Sequence, residues 1–101
     1  MKSREEYIDK LTAQLKEWSA KIDELESKAR AAREDAKTGY ENEVRHLKDQ
    51  RDAAKQKLQE LKGASTEAWD VLKAGAETAW KELSNAVTSA KEKFNKPGRP
   101  N

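Results

Sequence analysis

From Ile8 onward the large apolar residues recur at alternating steps of three and four. Ile8, Leu11, Leu15, Trp18, Ile22, Leu25, Ala29, Ala32 and Ala36 fill the a and d positions of four heptads. That spacing predicts a helix burying a narrow seam. The next apolar-phase positions are Tyr40, Val44, Leu47, Arg51, Ala54, Leu58 and Leu61. Two successive steps of four, Ala36 to Tyr40 to Val44, make a stutter that locally unwinds a left-handed supercoil. Read as one element, residues 1–62 form a long coiled-coil helix with a stutter near 36–44.

The second half changes period. Ala68-Trp69-Asp70-Val71-Leu72 returns as Ala79-Trp80-Lys81-Glu82-Leu83, and a fainter copy at Ala90 puts Phe94 in the leucine position. Eleven residues make three turns at about 3.67 residues each, so Trp69 and Trp80 share a face with Leu72, Ala76, Leu83, Val87, Ala90 and Phe94. Residues 67–95 are thereby predicted as an amphipathic helix, and 96–101, Lys-Pro-Gly-Arg-Pro-Asn, as a disordered tail.

Two places could interrupt the first helix. At 63–66, Gly63 is placed to cap one helix in the left-handed region and Ser65 to start the next, a stop-start signal whose short loop suits antiparallel neighbours. At Thr38-Gly39-Tyr40-Glu41 the capping-box spacing is present, but no loop residues follow, and a kink is the favoured expectation.

A reversal at Gly63 alone puts residue i near 126 − i. Leu72 then falls near Ala54, Phe94 near Ala32, and Trp69 over Leu58. The first helix would run about 87 Å and the second about 45 Å at 1.5 Å per residue. Residues 4–30, with the strongest heptads, would overhang, and their apolar stripe would not stay in water. The reading is an all-α, elongated antiparallel helical hairpin or coiled coil turning near Gly63 and associating through that stripe. The alternative is a three-helix bundle with a second break near Gly39.

Composition agrees with long helices. Hydrophobic residues make up 35% and charged residues 40%, too little apolar content for a large central core but enough for seams. Acids precede bases at i,i+4 in Glu6–Lys10, Glu17–Lys21, Glu24–Lys28, Glu26–Arg30, Glu41–Arg45 and Glu77–Lys81. Each pair contributes about 0.3 kcal/mol, which assists the helices without deciding the fold. The net charge is +2, with the basic excess in Lys91, Lys93, Lys96 and Arg99, so nucleic acid is not an expected partner.

Chemistry fails for lack of parts. There is no cysteine, and His46 is the one histidine, so thiolate sites and zinc or triad arrangements are not expected. Glu24/Glu26 and Glu41/Glu43 stand two apart, on different helix faces. The glycines at 39, 63, 75 and 98 fit no phosphate-loop spacing. No enzyme activity, cofactor or metal is expected. With no apolar run of spanning length and no signal-peptide pattern, a cytoplasmic location is the expectation.

The Ala-Trp-x-x-Leu-Lys-x-Gly-x-x-x-Ala-Trp-x-x-Leu stretch from Ala68 to Leu83 resembles that of small uncharacterised bacterial coiled-coil proteins. More distantly, the eleven-residue repeat is similar to those of exchangeable apolipoproteins and late-embryogenesis-abundant stress proteins. The first resemblance implies no transferable activity; the second implies amphipathic helices on lipid or drying surfaces. The expected function is a scaffold one: a homo-oligomer or partner-helix interface through Ile8, Leu11, Leu15, Trp18, Ile22, Leu25, Trp69, Leu72, Trp80, Leu83, Val87 and Phe94. A reversible lipid-surface or stress-associated helix is the rival, with a membrane surface ranked below a protein partner.

Overall fold

The computed structural model describes residues 4–95, and the expected tail at 96–101 lies outside them. Three helices of similar length follow one another: α1, Arg4–Arg30; α2, Glu34–Lys62; and α3, Thr66–Asn95. The helix count is that of the alternative reading, and the single helix expected over 1–62 is divided. They lie side by side in an elongated body of 52 × 21 × 19 Å. Its radius of gyration, 16.1 Å, exceeds the roughly 13 Å of a round domain of this size.

The first reversal is at Ala31-Ala32-Arg33, not at Gly39. Arg33 takes an extended conformation (φ −63°, ψ 152°) with no side-chain cap, and its carbonyl accepts from the N–H groups of Ala36 and Lys37 at 2.9 Å. What marks this end is charge: Lys28 and Arg30 close α1, while Glu34 and Asp35 open α2. Bases at a carboxyl end and acids at an amino end both complement the helix macrodipole.

The stutter has a simple origin in this arrangement. Taken alone, α2 keeps strict heptads at Lys37, Tyr40, Val44, Leu47, Arg51, Ala54, Leu58 and Leu61, all buried or half-buried. The two steps of four arise from joining the α1 phase to the α2 phase across a turn.

Gly39 lies within continuous α2, so neither a break nor a reversal occurs there. A Cβ added at Gly39 meets nothing within 4 Å, and the same holds at Gly75 in α3. Gly39→Ala and Gly75→Ala are each expected to stabilise the chain by about 0.5–1 kcal/mol, because alanine restricts the unfolded chain and suits a helix. Melting temperatures raised by about 3–6 °C would show it; a fall at Gly39 would contradict the uninterrupted helix.

The second turn, 63–65, is near its expected place, but Gly63 has φ −98° and ψ 8°, outside the left-handed region expected of it. Its N–H closes on the carbonyl of Gln59 at 3.3 Å, a bond that needs no glycine. Ser65 does start α3: its hydroxyl oxygen accepts from the Ala68 N–H at 3.2 Å.

The core is one continuous cluster. Ile22, Leu25, Leu47, Leu61 and Leu83 are its largest fully buried side chains, and no polar or charged residue is fully buried among the described residues. The α2/α3 register departs from 126 − i. Tyr40 stacks on Phe94 with ring centroids 4.3 Å apart, and Lys93 pairs with Glu43 at 3.3 Å, so residue i lies near 134–136 minus i. Phe94 therefore meets Tyr40 instead of Ala32. Against α3, α1 runs parallel: position i meets i + 62, Tyr7 with Trp69 and Trp18 with Trp80.

Surface pairs also redistribute. Glu26–Arg30 forms at 3.4 Å as expected. Lys21, however, turns to Glu24 at 2.8 Å, Arg45 donates to Asn42, and Glu77 accepts from the Tyr7 hydroxyl.

Candidate interaction surface

The twelve residues expected at an interface divide by burial. Leu11, Leu15, Ile22, Leu25, Trp80, Leu83 and Val87 are buried in the chain's own core, whereas Ile8, Trp18, Trp69, Leu72 and Phe94 are half-buried against it. The stripe on residues 4–30, expected to overhang and recruit another copy, is instead covered by α2 and α3. Trp18 was oversized for a two-helix seam. Beside a third helix it has room, tilted against Trp80 with centroids 6.3 Å apart.

The half-buried apolar groups concentrate where α1 and α3 both begin. The Tyr7 ring meets Trp69 edge-on at 5.9 Å, and Ile8 and Leu72 pack against the same core. Trp69 thus finds its ring partner in α1, not the expected cover over Leu58. Val71, next to Leu72 in sequence, is 74% exposed, the exposed large hydrophobic among the described residues. Two cations border this cluster. The Arg4 guanidinium lies 4.3 Å from the Trp69 ring centroid and donates to the Ala64 carbonyl at 2.7 Å, tying the start of α1 to the second turn. Lys73 sits 5.0 Å from the Tyr7 ring centroid. Burial pushes the Tyr7 phenol above its usual range, and the neighbouring Glu77 carboxylate adds to the shift.

Tyr7 and Arg4 were not among the expected residues. A signal existed: Tyr7 and Trp18 are eleven apart, as are Trp69 and Trp80, so a parallel α1/α3 pair sets both rings of one helix beside both of the other. The heptad reading of α1 uses only a and d positions, and Tyr7 occupies a g position.

Between α1 and α2 an ion pair supplements the apolar seam. Lys48 bridges to Glu26 at 2.7 Å, and this hydrogen bond is the main reason the Glu26 carboxyl is held below its ordinary value. A carboxylate with a depressed folded-state pKa adds stability that is present above its unfolded value, about 4.3, and lost as pH falls through the folded one. Glu26→Gln is therefore expected to lower the melting temperature slightly at neutral pH and to match the parent once the pH is low enough to protonate the folded carboxyl. Parallel melts across pH check this; a difference that persists in acid would assign the effect to packing.

Of the four carboxylates spaced two apart, three are engaged with cations: Glu24 with Lys21, Glu26 with Lys48, and Glu43 with Lys93. His46 is exposed on α2. Among the described residues no group of three or more histidine or carboxylate side chains is placed to hold a metal ion, and no helix is long and apolar enough to cross a membrane.

Fold and surface together define an all-helical, elongated three-helix protein with a cluster of half-buried apolar groups at the aromatic end of the α1/α3 seam. No family model, curated protein or solved structure matches the chain.

Proposed function

We propose that the chain is a non-enzymatic helical protein that self-associates, two copies meeting at the aromatic end of the α1/α3 seam. One observation carries the reading: Tyr7, Ile8, Trp69 and Leu72 remain half-buried together at one end of the seam. Elsewhere the apolar stripes are largely covered within the chain, with Trp18, Tyr40 and Phe94 half-buried. Large aromatic groups with one accessible face are the side chains that most often anchor protein interfaces. A second copy offers the same rings, as an isologous contact requires.

Light scattering over a concentration series tests it. The parent should rise from the 11.5 kDa monomer toward twice that mass. Trp69→Glu, at a half-buried position, should remain monomeric and helical. A parent that stays monomeric at every concentration would remove the reading.

Reversible lipid binding is the second reading, and the observation behind it is the Trp80 indole N–H, which is buried with no hydrogen-bond acceptor. Opening the bundle on a lipid surface would release that group and the α3 stripe to the interface. Phosphatidylglycerol vesicles should then shift tryptophan emission to the blue, and an unaltered spectrum would count against it.

A further inference from the structure

The geometry points to a phosphoryl-binding groove between α1 and α2, built by Lys16, Arg51, Lys55 and Lys62 with the hydroxyl of Ser19. The groove has a volume of about 510 Å³, with Leu15 and Leu58 in its floor and Gln59 on its rim. It lies away from the α1/α3 seam and does not depend on self-association.

Register creates it. Glu26 of α1 meets Lys48 of α2. One heptad further along the antiparallel pair, Ser19 comes opposite Lys55, and a heptad beyond that Thr12 comes opposite Lys62. All four line the groove. The lysine ladder on α2 therefore continues past Glu26 while its acidic partner does not: two rungs offer a hydroxyl where the first has a carboxylate. Lys16, Lys55 and Lys62 have no ion pair among the described residues, and Arg51 is held by Asp52 at 3.1 Å. In a chain that otherwise interleaves its charges, this groups three ammonium ions that no carboxylate pairs among the described residues.

The lining is rich in donors. Three ammonium groups, a guanidinium, the Ser19 hydroxyl and the Gln59 amide can donate, while the Thr12 hydroxyl already donates to the Ile8 carbonyl at 2.8 Å, and no carboxylate lines the groove. Lys55 and Lys62 are about 10 Å apart along α2 at 1.5 Å per residue, a span that suits an extended anion better than a single ion. Phosphoryl oxygens, rich in charge and acceptor sites, complement this set. Leu15 and Leu58 are already buried, so the groove lacks the accessible apolar floor that an amphipathic partner helix would need.

Calorimetric titration with inorganic tripolyphosphate at low salt, and sedimentation with phosphatidylcholine vesicles with and without phosphatidylglycerol, separate a free phosphate chain from a lipid headgroup. Saturable binding in either arm is expected, weakened about tenfold or more in Lys55→Glu/Lys62→Glu. Lys10→Glu/Lys81→Glu makes the same change in net charge outside the groove and should weaken binding by about twofold at most. Lys55→Gln/Lys62→Gln removes the charges without adding repulsion and should shift affinity in the same direction. Absence of binding in both arms, or equal losses in the groove and control variants, would overturn the assignment.

Discussion

Replacing Ile22 by lysine is expected to abolish the cooperative thermal transition of the whole chain. Ile22 is fully buried in the middle of α1, and its loss removes a side chain whose truncation alone costs about 2–5 kcal/mol. The ammonium group would add the desolvation of an unpaired charge, several kcal/mol more. A domain of this size is held by about 5–15 kcal/mol in total, so the two effects together remove most or all of it. Far-UV circular dichroism during a thermal melt is the measurement. The outcome separates the two architectures. In a hairpin with an overhang, Ile22 would lie outside the α2/α3 unit, and its substitution would change assembly while leaving that unit folded. A variant that keeps the parent melting temperature would show that α1 is not docked.

Trp80→Ala is expected to destabilise the chain by about 3–5 kcal/mol, the cost of a large buried aromatic group and of the cavity left behind. Trp80→Phe should cost much less, under about 1.5 kcal/mol. It keeps part of the ring volume and removes an indole N–H that is buried with no acceptor, a group whose burial is itself unfavourable by about 1–3 kcal/mol. Urea titrations of the three proteins give the comparison directly. Phenylalanine as damaging as alanine would mean that the indole nitrogen makes a bond worth keeping, with an ordered water as its partner. Trp18→Ala should fall between the two, since that ring is only half-buried on the opposite side of the contact.

Much of the local structure was legible because its causes are local. The three-four spacing from Ile8 to Ala29 belongs to α1, and the eleven-residue spacing from Trp69 to Phe94 belongs to α3. Ser65 starts a helix with its own hydroxyl, whatever packs nearby. The first reversal was harder to see. Ala31, Ala32 and Arg33 carry no glycine, proline or side-chain cap, and alanine favours helix. Its traces were the phase slip between Ala36 and Val44 and the change from basic to acidic residues between Arg33 and Glu34. The slip was interpretable as supercoil unwinding because a continuous helix could carry it as well.

The interaction surface was legible in its residues and not in its location. Helical periodicity identifies which positions must leave water but not which element covers them. Ile22 and Trp69 look equally apolar on their own helices, yet one is enclosed by two neighbours and the other is left half-covered beside Arg4 and Tyr7.

The amino-acid sequence by itself determined that the chain is helical, where α3 begins, and which face of each helix seeks cover. Those follow from hydrogen-bond geometry and side-chain period within a few turns. Tertiary structure alone decided that α1 folds back, that Trp18 rests against Trp80, that Phe94 meets Tyr40, and that Lys55 and Lys62 face hydroxyls instead of acids. These depend on the register between helices distant in sequence, which is set by the joint packing of all three stripes and by no single segment.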